Sequence, residues 1–198
     1  MNITEKSFKK SSLKSDGTEG SPNREKSVPA ESGRRWLAAY VKMHHERKVR
    51  DRLTDMEIEN FLPVQEVIRH WSDRRKKVER VLIPMMIFVR VNAAEQRQVI
   101  ELPAVLRYFS LRGEYAPTRI PDSQMDNFRR MLDFSDEAVN MENHLPAPGQ
   151  RVRVIKGSLQ GLEGELITFE GKSRIAVRIE QLGYATVEIN AGMVEGVE

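Results

Sequence analysis

The chain has 198 residues, a formal net charge of +3 and no cysteine, so it can hold one ordinary domain or two small ones but no disulfide framework, cysteine nucleophile or cysteine-based zinc site. Its longest apolar run, residues 81–89, is interrupted by Pro84 and is too short to span a bilayer, and no hydrophobic segment follows the first lysines; the reading is a cytoplasmic protein with no membrane partner. The basic excess is small, with a sequence pI near 9.2, and permits a polyanionic partner without requiring one.

Residues 1–33 are rich in Ser, Lys, Glu and Gly, with Phe8, Leu13 and Val28 isolated among them. Burying three scattered side chains does not offset a backbone ordering cost of about 1–2 kcal/mol per residue, so this segment is expected to be a disordered tail. Order starts at Arg34 with the apolar strand RRWLAAYVKM, followed by a helix over about 45–59 in which Val49, Leu53 and Met56 recur at helical spacing. A strand over 61–68 then runs into HWSDRRKKVER and returns over 81–91, a hairpin whose tip gathers Arg74, Arg75, Lys76 and Lys77 as a solvated turn or a phosphate contact. The returning run VLIPMMIFVRV is almost continuously apolar, as in a strand covered on both faces, and a partner is one candidate for the second cover. A short helix near 95–101, a strand over 105–111 and a turn at Arg112-Gly113 follow, and a third helix is capped by Asp122 or Ser123 and runs to about Phe134 on a stripe of Met125, Phe128, Met131 and Leu132.

Residues 135–147 are acidic, then Asn- and Pro-containing, without a period, and are expected to form an interdomain linker. Beyond them, short strands at about 151–155, 164–170, 174–180 and 185–190 alternate with Gly149, Gly157, Gly161, Gly164, Gly171 and Gly183, which fits a closed SH3-like barrel. The expected class is therefore α+β: a mixed or antiparallel sheet flanked by helices over 34–134, a linker over 135–147, and a small β-barrel over 148–198. No nucleophile–base pair, phosphate loop or metal-spaced carboxylate set appears, His44 and His45 are adjacent rather than four apart, and His70 and His144 lie elsewhere. An enzyme, a metal and a cofactor are not expected.

The stretch PGQRVRVIKGSLQGLEGELIT resembles a KOW motif, and the whole order from Arg34 onward resembles the NusG family of transcription elongation factors. The residues that carry this resemblance are RRWLAAYVK, NFLPVQEV, VLIPMMIFV, the Ile120-Pro121 turn, the KOW stretch, and AVRIEQLGYATVEI. The IPMMIFV strand, the short third helix and the loop-rich linker are similar to the specialised UpxY-type paralogues that antiterminate capsular polysaccharide operons in Bacteroidota.

The resemblance implies a binding mechanism rather than chemistry. An N-terminal NGN-like domain would grip the clamp helices of the largest RNA polymerase subunit through an apolar concavity, for which Tyr40, Ile83, Met86, Phe88 and Tyr108 are the candidates, converging on one face. The start of the first helix would meet the non-template DNA strand weakly, through Lys42, His45, Lys48 and Arg52. In the barrel, Leu159 and Leu162 sit where relatives meet a small-subunit ribosomal protein or the Rho terminator, and two leucines folded over the barrel core are the alternative. The expected protein is a monomer that regulates elongation or antitermination in an operon-specific manner; the competing reading is an RNA-binding or ribosome-associated KOW protein.

Overall fold

The computed structural model describes residues 33–70, 75–147 and 149–197. Residues 1–32 of the expected tail lie outside the described residues, as do the side chains of the basic hairpin tip, Arg74, Arg75 and Lys76, and that of His70. The elements are β1 (Arg35–Val41), α1 (Glu46–Asp55), β2 (Asn60–Phe61), β3 (Val64–His70), β4 (Arg75–Val81), β5 (Met86–Val91), α2 (Ala93–Ile100), β6 (Val105–Tyr108), β7 (Arg119–Ile120) and α3 (Asp122–Phe134). They continue with β8 (Asn140–Glu142), β9 (Gln150–Val154), β10 (Glu163–Phe169), β11 (Lys172–Ile179), β12 (Gly183–Glu188), a 3-10 turn (Ala191–Met193) and β13 (Val194–Gly196).

The first sheet has the order β2-β5-β1-β6, with β7 also on β1, and its pairings are antiparallel. Alternation along β1 separates two cores. Leu37, Ala39 and Val41 pack with Val49 and Leu53 of α1 and Val99 of α2, while Trp36 and Ala38 pack with Met125, Phe128 and Met131 of α3. The apolar character of β1 and β5 follows from this double cover, which the chain supplies from its own helices.

Several boundaries differ from the sequence reading. The first helix stops at Asp55 rather than near Glu59, because Glu57 adopts a left-handed φ of 57° just past its end. The strand expected over 61–68 is two strands parted at Leu62-Pro63: β2 joins β5, whereas β3 pairs with β4 in a separate two-stranded sheet. The run expected as one strand over 81–91 is also broken, by a turn between Val81 and Met86 in which Pro84 lacks an N–H and Met85 takes a φ of 61°. At the start of α3 neither Asp122 nor Ser123 caps; the carbonyl of Pro121 receives the N–H groups of Gln124 and Met125, and the Asp122 carboxylate instead pairs with Arg90 at 3.2 Å.

The second sheet has the order β13-β9-β10-β11-β12-β8, a meander closed by the return of β13 to β9 and suited to a small barrel. Gly164 is required where β10 passes β11, since a Cβ there would stand 2.6 Å from the Ala176 carbonyl oxygen. The segment expected as a plain linker contributes β8, which pairs with Tyr184, Ala185 and Thr186, and buries Val139. One hydrophobic cluster runs from Trp36, Phe88 and α3 through Val139 into Val152, Leu162, Ile175 and Val187, so the barrel and the first sheet share a core.

Candidate functional site

The five residues expected to form one apolar concavity do not share a face. Ala39 lies opposite Tyr108 in the β1–β6 register, which turns Tyr108 toward the α1–α2 side, away from Tyr40, Met86 and Phe88. Its hydroxyl donates to the Gln96 carbonyl oxygen at 3.0 Å, and burial pushes the phenol well above its ordinary value. Met86 and Phe88 are on the predicted side but are covered: Phe88 makes an edge contact with Phe128 of α3, ring centroids 6.0 Å apart, and both side chains are buried. On the Tyr40 side the half-buried members are Tyr40 and Ile83. Phe109, which the sequence reading passed over, takes the place assigned to Tyr108, with its ring 6.3 Å from that of Tyr40, and Arg107 stacks over the Tyr40 ring at 4.4 Å. A one-residue register shift between Tyr40 and Val41 puts Phe109 rather than Tyr108 on the Tyr40 face of the sheet.

The second candidate set comes together. Lys48 and Arg52 share one face of α1, and with His45 at its N-cap and Lys42 just past β1 they line a single cavity of about 220 Å3. Val49 and the connection Leu102-Pro103-Ala104 between α2 and β6 form its apolar wall, and the Lys42 N–H donates to the Ala104 carbonyl at 2.9 Å, which ties that connection to β1. Nearby Arg47 and Arg50 are held by Glu79 and Asp51, whereas Lys42, Lys48 and Arg52 make no ion pair among the described residues. Three available cations around an apolar wall can hold phosphate oxygens at the rim and a flat apolar face within it. Pro103, closing the α2 connection, was a signal in the sequence for this wall.

Leu159 and Leu162 are not exposed tips. They are 7% and 0% exposed and belong to the shared core, with the loop folded on itself by the Gly161 N–H to the Val154 carbonyl and the Leu162 N–H to the Leu159 carbonyl. The loop is also held from outside. Arg130 of α3 donates to the Gln160 carbonyl at 3.0 Å, Ser158 donates to Asp136 at 2.9 Å, and at the other end of the contact Gln124 donates to the Glu180 carboxylate while accepting from the Glu180 N–H at 2.7 Å. Beside it, a polar cleft of about 280 Å3 separates Ser123, Gln124 and Asn127 from Arg151, Glu163 and Arg178 of the barrel.

A half-exposed aromatic edge, a cationic pocket with an apolar wall and a glycine-framed barrel are surfaces suited to contact with other macromolecules. Residues 34–129 match the family model described as transcription termination factor nusG. The chain is 26% identical over 164 residues to the transcription termination/antitermination protein NusG of Pasteurella multocida, covering 80% of this chain and 84% of that protein. With the protein of the same description from Escherichia coli K12, identity is 27% over 164 residues, covering 80% and 85%. A solved structure of Thermotoga maritima NusG, described as a domain interaction, covers 85% of this chain and 99% of its own at 19% identity and a TM-score of 0.44. The segment 34–129, which carries both the aromatic edge and the cationic pocket, is thus similar to the NusG family of transcription termination and antitermination factors.

Proposed function

We propose that the protein regulates transcription elongation and antitermination in the cytoplasm, holding the clamp helices of the largest RNA polymerase subunit with the Tyr40, Ile83 and Phe109 edge and the non-template DNA strand with the Lys42, His45, Lys48 and Arg52 pocket. The observation that carries this reading is the convergence of those four residues on one apolar-walled pocket inside the family-matched segment. The aromatic edge supplies the partly exposed apolar area that a protein partner would cover, worth about 25 cal/mol per Å2. The barrel recruits a second factor, a small-subunit ribosomal protein or Rho, and because Leu159 and Leu162 are covered, recruitment through that loop requires the barrel to leave α3. The action is confined to a restricted class of operons, in the manner of the UpxY-type paralogues that the IPMMIFV strand resembles.

The test is capture of core RNA polymerase by the full chain, alongside a Tyr40→Asp, Ile83→Asp variant. Capture by the wild type and loss in the variant support the reading; equal capture removes the proposed edge. For the operon class, deletion of the gene should lower distal transcripts of one long operon, and unchanged transcripts across the genome refute antitermination.

A further inference from the structure

The turn between β4 and β5 carries Ile83, Pro84 and Met85 and is held in an unfavourable shape. Met85 has φ 61°, a left-handed conformation that side chains other than glycine and asparagine resist. Its peptide is gripped from two sides: the Val41 N–H donates to the Met85 carbonyl at 2.9 Å, and the Met85 N–H donates to the Glu46 carboxylate at 2.8 Å. Glu46 is the first residue of α1, it is only 6% exposed, and it is one of few buried charged side chains among the described residues. Burial alone would raise its pKa, but the N–H groups of Met85, of Glu46 itself and of His44, with the nearby His44 charge, outweigh that and hold the carboxyl below its ordinary value. His44 is left-handed as well, with φ 63°. The Glu46 carboxylate therefore fastens the strained turn that bears Ile83 to the start of α1, two residues after the left-handed His44.

The geometry points to Glu46 as the positioning residue that sets the Ile83–Met86 turn against the start of α1, and so fixes the polymerase-facing edge relative to the nucleic-acid pocket. This rests on the functional reading given above. Reach, not charge alone, is what the Met85 bond needs. A glutamine at this position spans the same distance and keeps one oxygen for the Met85 N–H. An aspartate keeps the charge and the acid at the helix start but is one methylene too short to reach Met85.

Two measurements on the full chain decide the matter. Amide hydrogen exchange at Met85 should accelerate in Glu46→Asp while the amides of α1 keep their protection, and Glu46→Gln should remain near wild type. Affinity for core RNA polymerase should fall about tenfold in Glu46→Asp, equivalent to ~1.4 kcal/mol, with single-stranded DNA affinity unchanged. Adding Met85→Gly, which accepts a positive φ without support, should restore most of the missing affinity, an effect that general destabilisation by Glu46→Asp does not predict. Unchanged Met85 exchange in Glu46→Asp overturns the inference whatever the polymerase does. So does a polymerase affinity within about twofold of wild type where the wild type binds, or failure of Met85→Gly to rescue. If the wild type does not bind polymerase, the functional reading fails while the exchange experiment still decides the role of Glu46.

Discussion

Replacing Gly161 by alanine tests the docking of the barrel on α3 through a single methyl group. Gly161 has φ 86°, so any other residue carries a left-handed penalty of about 1–2 kcal/mol within the barrel loop itself. The new Cβ would also stand 2.7 Å from Arg130 Nη1, too close for both atoms to stay. The end of Arg130 is exposed and flexible, so it swings away and gives up its bond to the Gln160 carbonyl, a loss of about 0.5–1.5 kcal/mol. Gly161→Ala should therefore destabilise by about 1.5–3.5 kcal/mol, the sum of those two effects. Arg130→Ala alone should cost only the hydrogen-bond share, and in the double variant there is neither a clash nor a bond left to break. Urea denaturation of the wild type, the two single variants and the double variant closes the cycle. The double variant should be more stable than the additive sum by about 0.5–1.5 kcal/mol, the hydrogen-bond share that the two single variants both forfeit. Additivity within about 0.5 kcal/mol refutes the docked arrangement, since residues 161 and 130 then do not meet.

Other outcomes follow from the same structure. Phe128→Ala removes a fully buried ring in edge contact with both Phe61 and Phe88, and urea denaturation should register a loss of about 3–5 kcal/mol. Charge reversal at Lys48 and Arg52 should weaken single-stranded DNA binding in a salt titration and flatten the log–log slope by about 0.7 for each phosphate no longer neutralised, whereas reversal at the already paired Arg50 should change it less. Tyr108→Phe should leave polymerase capture unchanged and cost about 1 kcal/mol of stability in denaturant, because the hydroxyl serves α2 rather than the exposed edge. Glu46 and Glu95 both have folded-state pKa values below their unfolded ones; for Glu95, burial acts upward but the Arg34 pairing and the Asn92 N–H outweigh it. Their contribution is present above the unfolded glutamate range and is lost as pH falls through the lowered folded values, so the acid limb of a thermal-stability profile should flatten in Glu95→Gln.

What the sequence disclosed and what it withheld divide along physical lines. The members of the cationic pocket came from the family resemblance rather than from periodicity; Lys48 and Arg52 share a face of α1 at a spacing of four, and Lys42 and His45 join them from the connection before the helix. The aromatic edge was legible in composition but not in membership, because a register shift after Tyr40 decides whether Tyr108 or Phe109 stands beside it, and a shift of one residue has no compositional signature. Met86 and Phe88 were placed on the correct side of the sheet, yet their exposure depended on where α3 lies, a tertiary fact. The strand breaks at Pro63 and Pro84 were visible as prolines, but hydrophobic continuity across them outweighed the punctuation. Val139 and β8 were hidden by the acidic character of the segment around them, since a three-residue strand supported by its partner β12 needs no pattern of its own.

The packing of α3 on the barrel also constrains how the two candidate surfaces can be used. Its apolar part belongs to the same cluster that fills the space behind Phe88, while its polar part consists of a few hydrogen bonds beside a cleft lined by polar side chains. An interface that is dry on one side and polar on the other can separate without exposing the whole core, provided that Met125 and Phe128 stay against the sheet. The helix then acts as a shared wall: one face closes the first sheet beneath the Tyr40 edge, and Gln124 and Arg130 present the other to Glu180 and Gln160. A partner that binds the barrel loop competes with Arg130 for the Gln160 carbonyl, so weakening the Arg130 bond should favour the barrel's partner while leaving the Tyr40 edge intact. That separates recruitment by the barrel from attachment by the first sheet, and it makes Arg130→Ala the variant that raises the first without lowering the second.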